Sequence, residues 1–219
     1  MEDVLSVYHR PYDETMPVVC LDEAAKQILS DEREPLPMKC GQVERFDNEY
    51  VRDGTAALFM AFEPLAGSRS VFVRERRTAL DFAEVVRFIV EEKYVTAVKV
   101  VIVLDNLNTH GTHSLYEAFA PEIAKRIVDR IEWHFTPKHG SWLNREIASG
   151  DFLDMAEIEL SVLAKQCLDE RMQSREFLTK QIAAWQERRN NAQSKVKWQF
   201  TTADARVKLK HLYPQILTS

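Results

Sequence analysis

The sequence predicts an α/β domain built on a mixed β-sheet that is flanked by helices. Residues 100–104 (VVIVL) form an unbroken apolar, β-branched run, which is the composition of a strand buried on both faces. Residues 17–22 (PVVCLD) repeat this pattern. Asp105 directly follows the first run, and Asp22 is the last residue of the second. The later segments alternate between helical and strand-like spacing, which favours parallel strands joined by helices.

The first third of the chain predicts one strand and then a meander that leads away from it. Its short apolar stretches are separated by residues that favour turns, such as Asp-Gly and Pro-rich runs. In chain order the predicted segments are an irregular stretch at 1–16, a strand at 17–22 that ends at Asp22, a loop at 30–41, a loosely alternating stretch at 42–55 that ends in a hairpin signal at Asp53-Gly54, and strands at 56–64 and 70–74.

The remainder of the chain predicts helices around two further strands. Residues 79–93 place Leu80, Phe82, Val86 and Ile89 on one face at helical spacing. After this helix the predicted segments are the central strand at 100–104, a helix at 114–130 with a break near Pro121, a strand at 131–137, a loop at 138–144, helices at 155–171 and 175–190, a strand or extended arm at 195–200, and a last helix at 202–212.

The composition indicates a soluble protein with one domain over residues 1–219. The chain is 45% hydrophobic and 29% charged, and it contains no apolar run approaching the roughly 20 residues that span a bilayer. The N-terminus lacks a basic-then-apolar signal pattern, so we predict a cytoplasmic protein without membrane association. Cys20, Cys40 and Cys167 are few and far apart, which predicts reduced thiols and no zinc site.

Charge is distributed unevenly along the chain. The net charge is −5 overall, but it is −8 over residues 1–63 and +5 over residues 185–219. An acidic body with a basic tail suits a metal-binding centre beside a flank that contacts phosphates. It equally suits an ordinary pair of solvated helices, and both interpretations stay open at this point.

Three carboxylates stand at positions where a mixed sheet would bring them together. Asp22 ends the first strand, Asp105 follows the central strand, and Glu157 opens the helix after the last strand. Three converging carboxylates cannot all stay ionised without a cation, and such oxygen ligands suit Mg²⁺ or Mn²⁺. Two such ions, about 3.5–4 Å apart, serve phosphodiester chemistry. The alternative is structural: Asp22 ends a strand, Asp105 starts a turn, and Asn108 or Thr109 caps the next helix.

Four segments in this order resemble a known family. PVVCLDE, VIVLDNLNTH, TPKHGSWLN and MAEIELSVL are similar to the catalytic domain of bacterial insertion-sequence DDE transposases, in the mariner-related superfamily. The resemblance covers nearly the whole chain. It implies a retroviral-integrase-like, RNase H-like fold and metal-dependent cleavage and strand transfer of DNA, in which water attacks first and the released 3′-OH then attacks the target.

The resemblance also implies roles for individual residues. Asp22, Asp105 and Glu157 would be the catalytic carboxylates that bind Mg²⁺ or Mn²⁺ as two ions. The site would be lined by Asn106, His110, His139 and Asn144, with Trp142 packing beneath; alternatively, His139 bonds a backbone carbonyl and Trp142 belongs to the core. The partners would be transposon ends, target DNA and a second copy of the chain. The candidate DNA contacts are Lys138, Arg188, Arg189, Lys195, Lys197, Lys208 and Lys210.

The sequence departs from the family pattern in two ways. The chain begins just before the first catalytic strand, and nothing in it predicts the N-terminal helix-turn-helix region that reads transposon ends. Ten residues, 145–154, separate Asn144 from the Met-Ala-Glu helix. Because Ser149-Gly150-Asp151 is a turn signal, we expect these residues to loop out and the helix to start near Met155. A longer helix would instead displace Glu157 and make Glu146 a substitute ligand.

The sequence therefore predicts a DDE transposase catalytic domain. Two alternatives remain at this stage. A catalytically inactive remnant would act as an interaction or regulatory module by pairing with a full-length transposase. A nuclease with another substrate, such as an RNA–DNA hybrid, would use the same carboxylates.

Overall fold

The computed structural model of the chain describes residues 1–31, 50–107, 110–136 and 154–208. The predictions for Lys138, His139, Trp142, Asn144 and Lys210 lie outside these residues, as do those for Asn108, Thr109 and Glu146 and for the turn at 149–151. Within the described residues, no helix is both long and apolar enough to cross a membrane.

Among the described residues, five strands form one mixed sheet. They are β1 (Val18–Asp31), β2 (Tyr50–Glu63), β3 (Ser68–Arg74), β4 (Val100–Leu104) and β5 (Ile131–Phe135). Their order across the sheet is β3-β2-β1-β4-β5. The first three strands are an antiparallel meander, whereas β4 and β5 run parallel to β1. This order and these directions are those of an RNase H-like sheet, and the predicted fold class is confirmed.

Helices cover both faces of the sheet. Those on the first face are α1 (Glu2–Tyr8), α5 (Met155–Cys167), α6 (Arg175–Asn191) and α7 (Thr202–Lys208). Those on the second face are α2 (Ala79–Phe88), which continues into a π-helical turn at Ile89–Lys93, α3 (Thr112–Ala118) and α4 (Pro121–Asp129). Side chains of a strand alternate between the two cores, so Cys20 and Val103 face the first and Leu21 and Leu104 face the second.

Two regions differ from the prediction because of long-range contacts. Residues 2–8 form a helix instead of an irregular stretch, and it buries Val4, Leu5 and Val7 against the first face. β1 does not end at Asp22 but continues to Asp31, because this half of the strand pairs with β2. Asp22 therefore lies within β1, at the point where the parallel partner β4 stops.

The Asp53-Gly54 signal marks a bulge and not a hairpin. β2 runs through both residues, and Gly54 has φ +106°, a conformation that glycine adopts without strain. Gln27 pairs with Thr55 but Leu29 pairs with Arg52, so β2 carries an extra residue at this point. Such a bulge bends and twists a strand without ending it.

The helices follow the prediction closely. The predicted break near Pro121 separates α3 from α4, with proline in the first turn of α4. Residues 195–200 form an arm without regular strand structure, and this arm buries Trp198 and Phe200 in the first core.

Candidate active site

The strand register brings Asp22 and Asp105 side by side. Leu21 pairs with Leu104 in the parallel ladder between β1 and β4, and each aspartate is the next residue of its chain. Neighbouring strands lie about 4.8 Å apart. By strand alternation Asp22 belongs to the face that α5 covers, since Cys20 contributes to that core.

The electrostatics of Asp22 show which other carboxylates share this edge. Burial raises the pKa of Asp22 to about 6, and the negative charges of Asp105, Glu157 and Glu23 add to this effect. The backbone N–H of Glu23 donates to Asp22 Oδ1 at 2.7 Å and partly offsets the increase. Asp105 and Glu157, predicted from two other segments, thus both act electrostatically on Asp22.

Glu157 reaches this edge because α5 begins where the sequence predicts. Met155 is the first helical residue, Asp154 is the N-cap, and Glu157 lies in the first turn. A carboxylate in the first turn is favoured by the helix dipole. The helix therefore presents Glu157 from the first turn, as expected if residues 145–154 do not extend it.

Asp154 is a candidate site residue that the sequence reasoning missed. Its Oδ1 accepts a hydrogen bond from the Ala156 N–H at 2.8 Å, while its buried Oδ2 has no hydrogen-bond partner within the described residues. Burial is the main reason that the pKa of Asp154 is well above its ordinary value, and the charges of Asp22, Asp105 and Glu157 raise it further. An aspartate directly before the Met-Ala-Glu helix is an N-cap signal that could have drawn attention to it.

His110 connects Asp105 to Glu23. Its Nδ1 lies 2.5 Å from Asp105 Oδ1, and its Nε2 lies 3.3 Å from Glu23 Oε2. The ring stacks on Phe82 with centroids 4.7 Å apart. Burial opposes protonation of the imidazole, but the hydrogen bonds and charges of the two carboxylates outweigh it and raise the pKa of His110 to about 9.

Asn106 is the remaining predicted site-lining residue that the structure describes. Asn106 is exposed in the segment that follows β4. Across the described ranges, no group of three or more His, Cys, Asp or Glu side chains is close enough to hold a metal ion. The carboxylates therefore interact through their charges, and their role as metal ligands remains a prediction.

The candidate DNA contacts divide into two kinds. Arg188, Lys195, Lys197 and Lys208 are exposed. Arg189 is different, because its guanidinium donates to the buried Glu159 carboxylate at 2.9 and 3.1 Å from Nη2 and lies 5.8 Å from the Trp185 ring centroid. It serves the packing of α6 on α5, and a contact of Arg189 with DNA stays a prediction.

The strand order and strand directions of the sheet define a class, the RNase H-like domains. The sequence model of one such family, described as DDE superfamily endonuclease, matches residues 17–179, about three quarters of the chain. The chain belongs to the DDE superfamily endonuclease family, and the family predicted from the sequence is confirmed. No curated protein matches the chain.

Several solved structures are similar at low identity. The Mos1 transposase paired-end complex with left transposon end is 14% identical, with a TM-score of 0.38, and the match covers 89% of this chain and 60% of that one. The Mos1 mariner paired-end complex with Mn is 15% identical, with a TM-score of 0.32 and coverages of 88% and 60%. The chain thus spans about 60% of the length of these proteins.

Proposed function

We propose that this chain is the catalytic domain of a DDE transposase and that it cleaves and transfers DNA strands with divalent metal ions. The observation that carries the proposal is the shared electrostatic environment of Asp22, Asp105 and Glu157 where β4 leaves β1, in a member of the DDE superfamily. Transposon ends and target DNA are the proposed substrates. Assembly as a homodimer and a cytoplasmic, nucleoid-associated location in a bacterium belong to the same proposal.

The residues at this edge fit a hard divalent cation. All the candidate donors are carboxylates, the ligands that Mg²⁺ and Mn²⁺ prefer. Asp154 Oδ2 is buried and has no hydrogen-bond partner among the described residues, and the pKa of Asp22 is raised by burial and by neighbouring negative charge. A cation bound at this edge would reduce the cost of burying Asp154 Oδ2 without a partner, and it would lower the pKa of Asp22. We propose that Asp22, Asp105 and Glu157 hold two ions, which would activate the attacking oxygen and stabilise the leaving one.

The chain supplies the framework for these carboxylates. The parallel ladder fixes Asp22 relative to Asp105, and the Asp154 cap fixes the start of the helix that carries Glu157. In the proposed reaction, water hydrolyses a phosphodiester bond and leaves a 3′-OH and a 5′-phosphate. The 3′-OH then attacks a target phosphodiester, which forms a new P–O bond and releases a 3′-OH of the target. Rigid placement matters because a catalytic constellation tolerates errors of only about 0.5 Å.

Nicking of supercoiled plasmid DNA in the presence of Mn²⁺ tests the proposal. We expect Asp22→Asn, Asp105→Asn and Glu157→Gln each to lower the nicking rate at least about 100-fold, since removal of a single group that stabilises transition-state charge has effects of this size. Glu122→Gln is the matched control, because Glu122 is an exposed carboxylate on α4. It should nick at the wild-type rate.

Other outcomes would change the assignment. Wild-type nicking by all three site variants would refute the proposed site. Loss in Glu146→Gln without loss in Glu157→Gln would make Glu146 the third carboxylate. A folded chain that never nicks DNA would favour the inactive interaction module, and preference for an RNA–DNA hybrid over duplex DNA would favour the other nuclease.

A further inference from the structure

His110 joins two strands at the edge where the candidate site lies. Asp105 directly follows β4, whereas Glu23 belongs to β1, next to Asp22. Leu21 lies in the second core, which places Glu23 by alternation on the side of α2, where Phe82 stacks on the imidazole. His110 therefore links the carboxylate that follows β4 to a carboxylate of β1.

The environment of His110 restricts how its ring can move. The side chain is 2% exposed, the ring is stacked on Phe82 at an interplanar angle of 25°, and both nitrogens face carboxylate oxygens. Glu23 is held in turn, since its Oε1 lies 3.7 Å from Arg77 Nη1. A ring with this little freedom fixes the oxygen that it contacts.

We propose that His110 is a positioning residue for Asp105, with Glu23 as its second anchor. The ring contacts only Oδ1 of Asp105 and so orients the carboxylate. This inference rests on the proposed function, in which Asp105 binds the cation. Groups that hydrogen-bond a metal-binding side chain commonly change metal affinity 10- to 100-fold when they are removed.

His134 provides a matched control. It is also buried and also lies between two carboxylates, with Nδ1 2.6 Å from Asp3 Oδ2 and Nε2 2.8 Å from Glu132 Oε1. Those partners belong to the N-terminal helix and to β5 and are not among the candidate ligands. Replacement of His134 therefore removes a histidine that contacts two carboxylates, but away from the candidate ligands.

The experiment measures Mn²⁺ affinity of the full chain by calorimetry at one fixed pH. We expect His110→Ala to weaken binding about 10- to 100-fold, and His134→Ala to leave it unchanged. His110→Asn should recover part of the affinity, because its amide N–H can replace Nδ1 as the donor to Asp105. Glu23→Gln should weaken binding less than His110→Ala does.

Each result has a defined meaning. Wild-type Mn²⁺ affinity in folded His110→Ala, together with lost affinity in Asp105→Asn, would overturn the inference and leave the proposed function intact. Unchanged affinity in Asp105→Asn would overturn the proposed function itself. Should His110→Ala not fold, equal affinities of wild type, His110→Asn and Glu23→Gln would overturn the inference, and graded losses in the two variants would support it.

Discussion

Arg69 of β3 and Glu159 of α5 form an ion pair that solvent hardly reaches. Arg69 Nε lies 2.9 Å from Glu159 Oε1, and the two side chains are 0% and 1% exposed. Arg189 of α6 donates to the same carboxylate. Because Glu159 is two residues after Glu157, this network anchors the helix that carries the third candidate carboxylate.

Removal of the charge at Glu159 should destabilise the protein strongly. Glu159→Gln leaves the guanidinium groups of Arg69 and Arg189 close together without a counter-charge, and breaking such a buried pair costs about 3–5 kcal/mol. Urea denaturation measures the loss. Glu187→Gln, at an exposed position of α6, should change stability by less than about 0.5 kcal/mol. Equal stability of the two variants would show that the network does not hold α5.

Two substitutions at Asp154 should differ in their effect on stability in the absence of metal ions. Asp154→Asn keeps an oxygen that can accept from the Ala156 N–H but removes a buried negative charge, so we expect a more stable protein at neutral pH. Asp154→Ala also removes the cap, which costs about 1 kcal/mol relative to Asn.

Ser174 gives the comparison for Asp154. It caps α6 by accepting from the Phe177 N–H at 3.1 Å. Ser174→Ala should lower the free energy of unfolding by about 1 kcal/mol. Because serine is uncharged, this variant loses the cap without also removing a buried charge. Chemical denaturation of all three variants separates the cap from the charge, and an Asp154→Asn variant less stable than Asp154→Ala would contradict the charge argument.

Lys93 should make stability depend on pH above neutrality. Burial lowers the pKa of Lys93 to about 8, which outweighs the opposite effect of the Glu63 charge. In the unfolded chain the group titrates near 10.4. Between these values the unfolded state binds more protons, so the free energy of unfolding rises as the pH rises from about 8 to about 10.

Substitution of Lys93 isolates this contribution. Relative to Lys93→Met, wild type should gain roughly 2 kcal/mol in unfolding free energy between about pH 7.5 and pH 9.5. Lys99→Met removes an exposed lysine and should keep the wild-type pH dependence. Parallel pH profiles for wild type and Lys93→Met would show that Lys93 titrates normally in the folded protein.

DNA binding should be independent of sequence and steeply dependent on salt. The exposed basic residues Lys195 and Lys197 contact only phosphates in the proposed complex. Their joint replacement by glutamine should lower the slope of log K against log salt by about 2. Lys125→Gln removes an exposed lysine paired with Asp129 at 2.9 Å and should leave the slope unchanged. Tight binding to one specific sequence at physiological salt would contradict this prediction.

Much of the fold follows from local sequence patterns. The apolar run at Val100–Leu104 is buried along its whole length, and α5 starts at Met155 as predicted. These elements are predictable because burial on both faces demands continuous apolar residues and because caps and proline mark helix boundaries. The same patterns placed Asp105 directly after a buried strand, whereas Asp22, predicted to end the first strand, lies within β1.

The sequence by itself determined the family, the central strands and the three carboxylates that mark the candidate site. Only the tertiary structure decided that residues 23–31 extend β1, that Gly54 lies in a bulge, and that His110 reaches Glu23. Pairing with β2 stabilises the polar half of β1, and His110 and Glu23 are 87 residues apart along the chain. Such contacts depend on how distant segments pack together, and local sequence periodicity does not predict that packing.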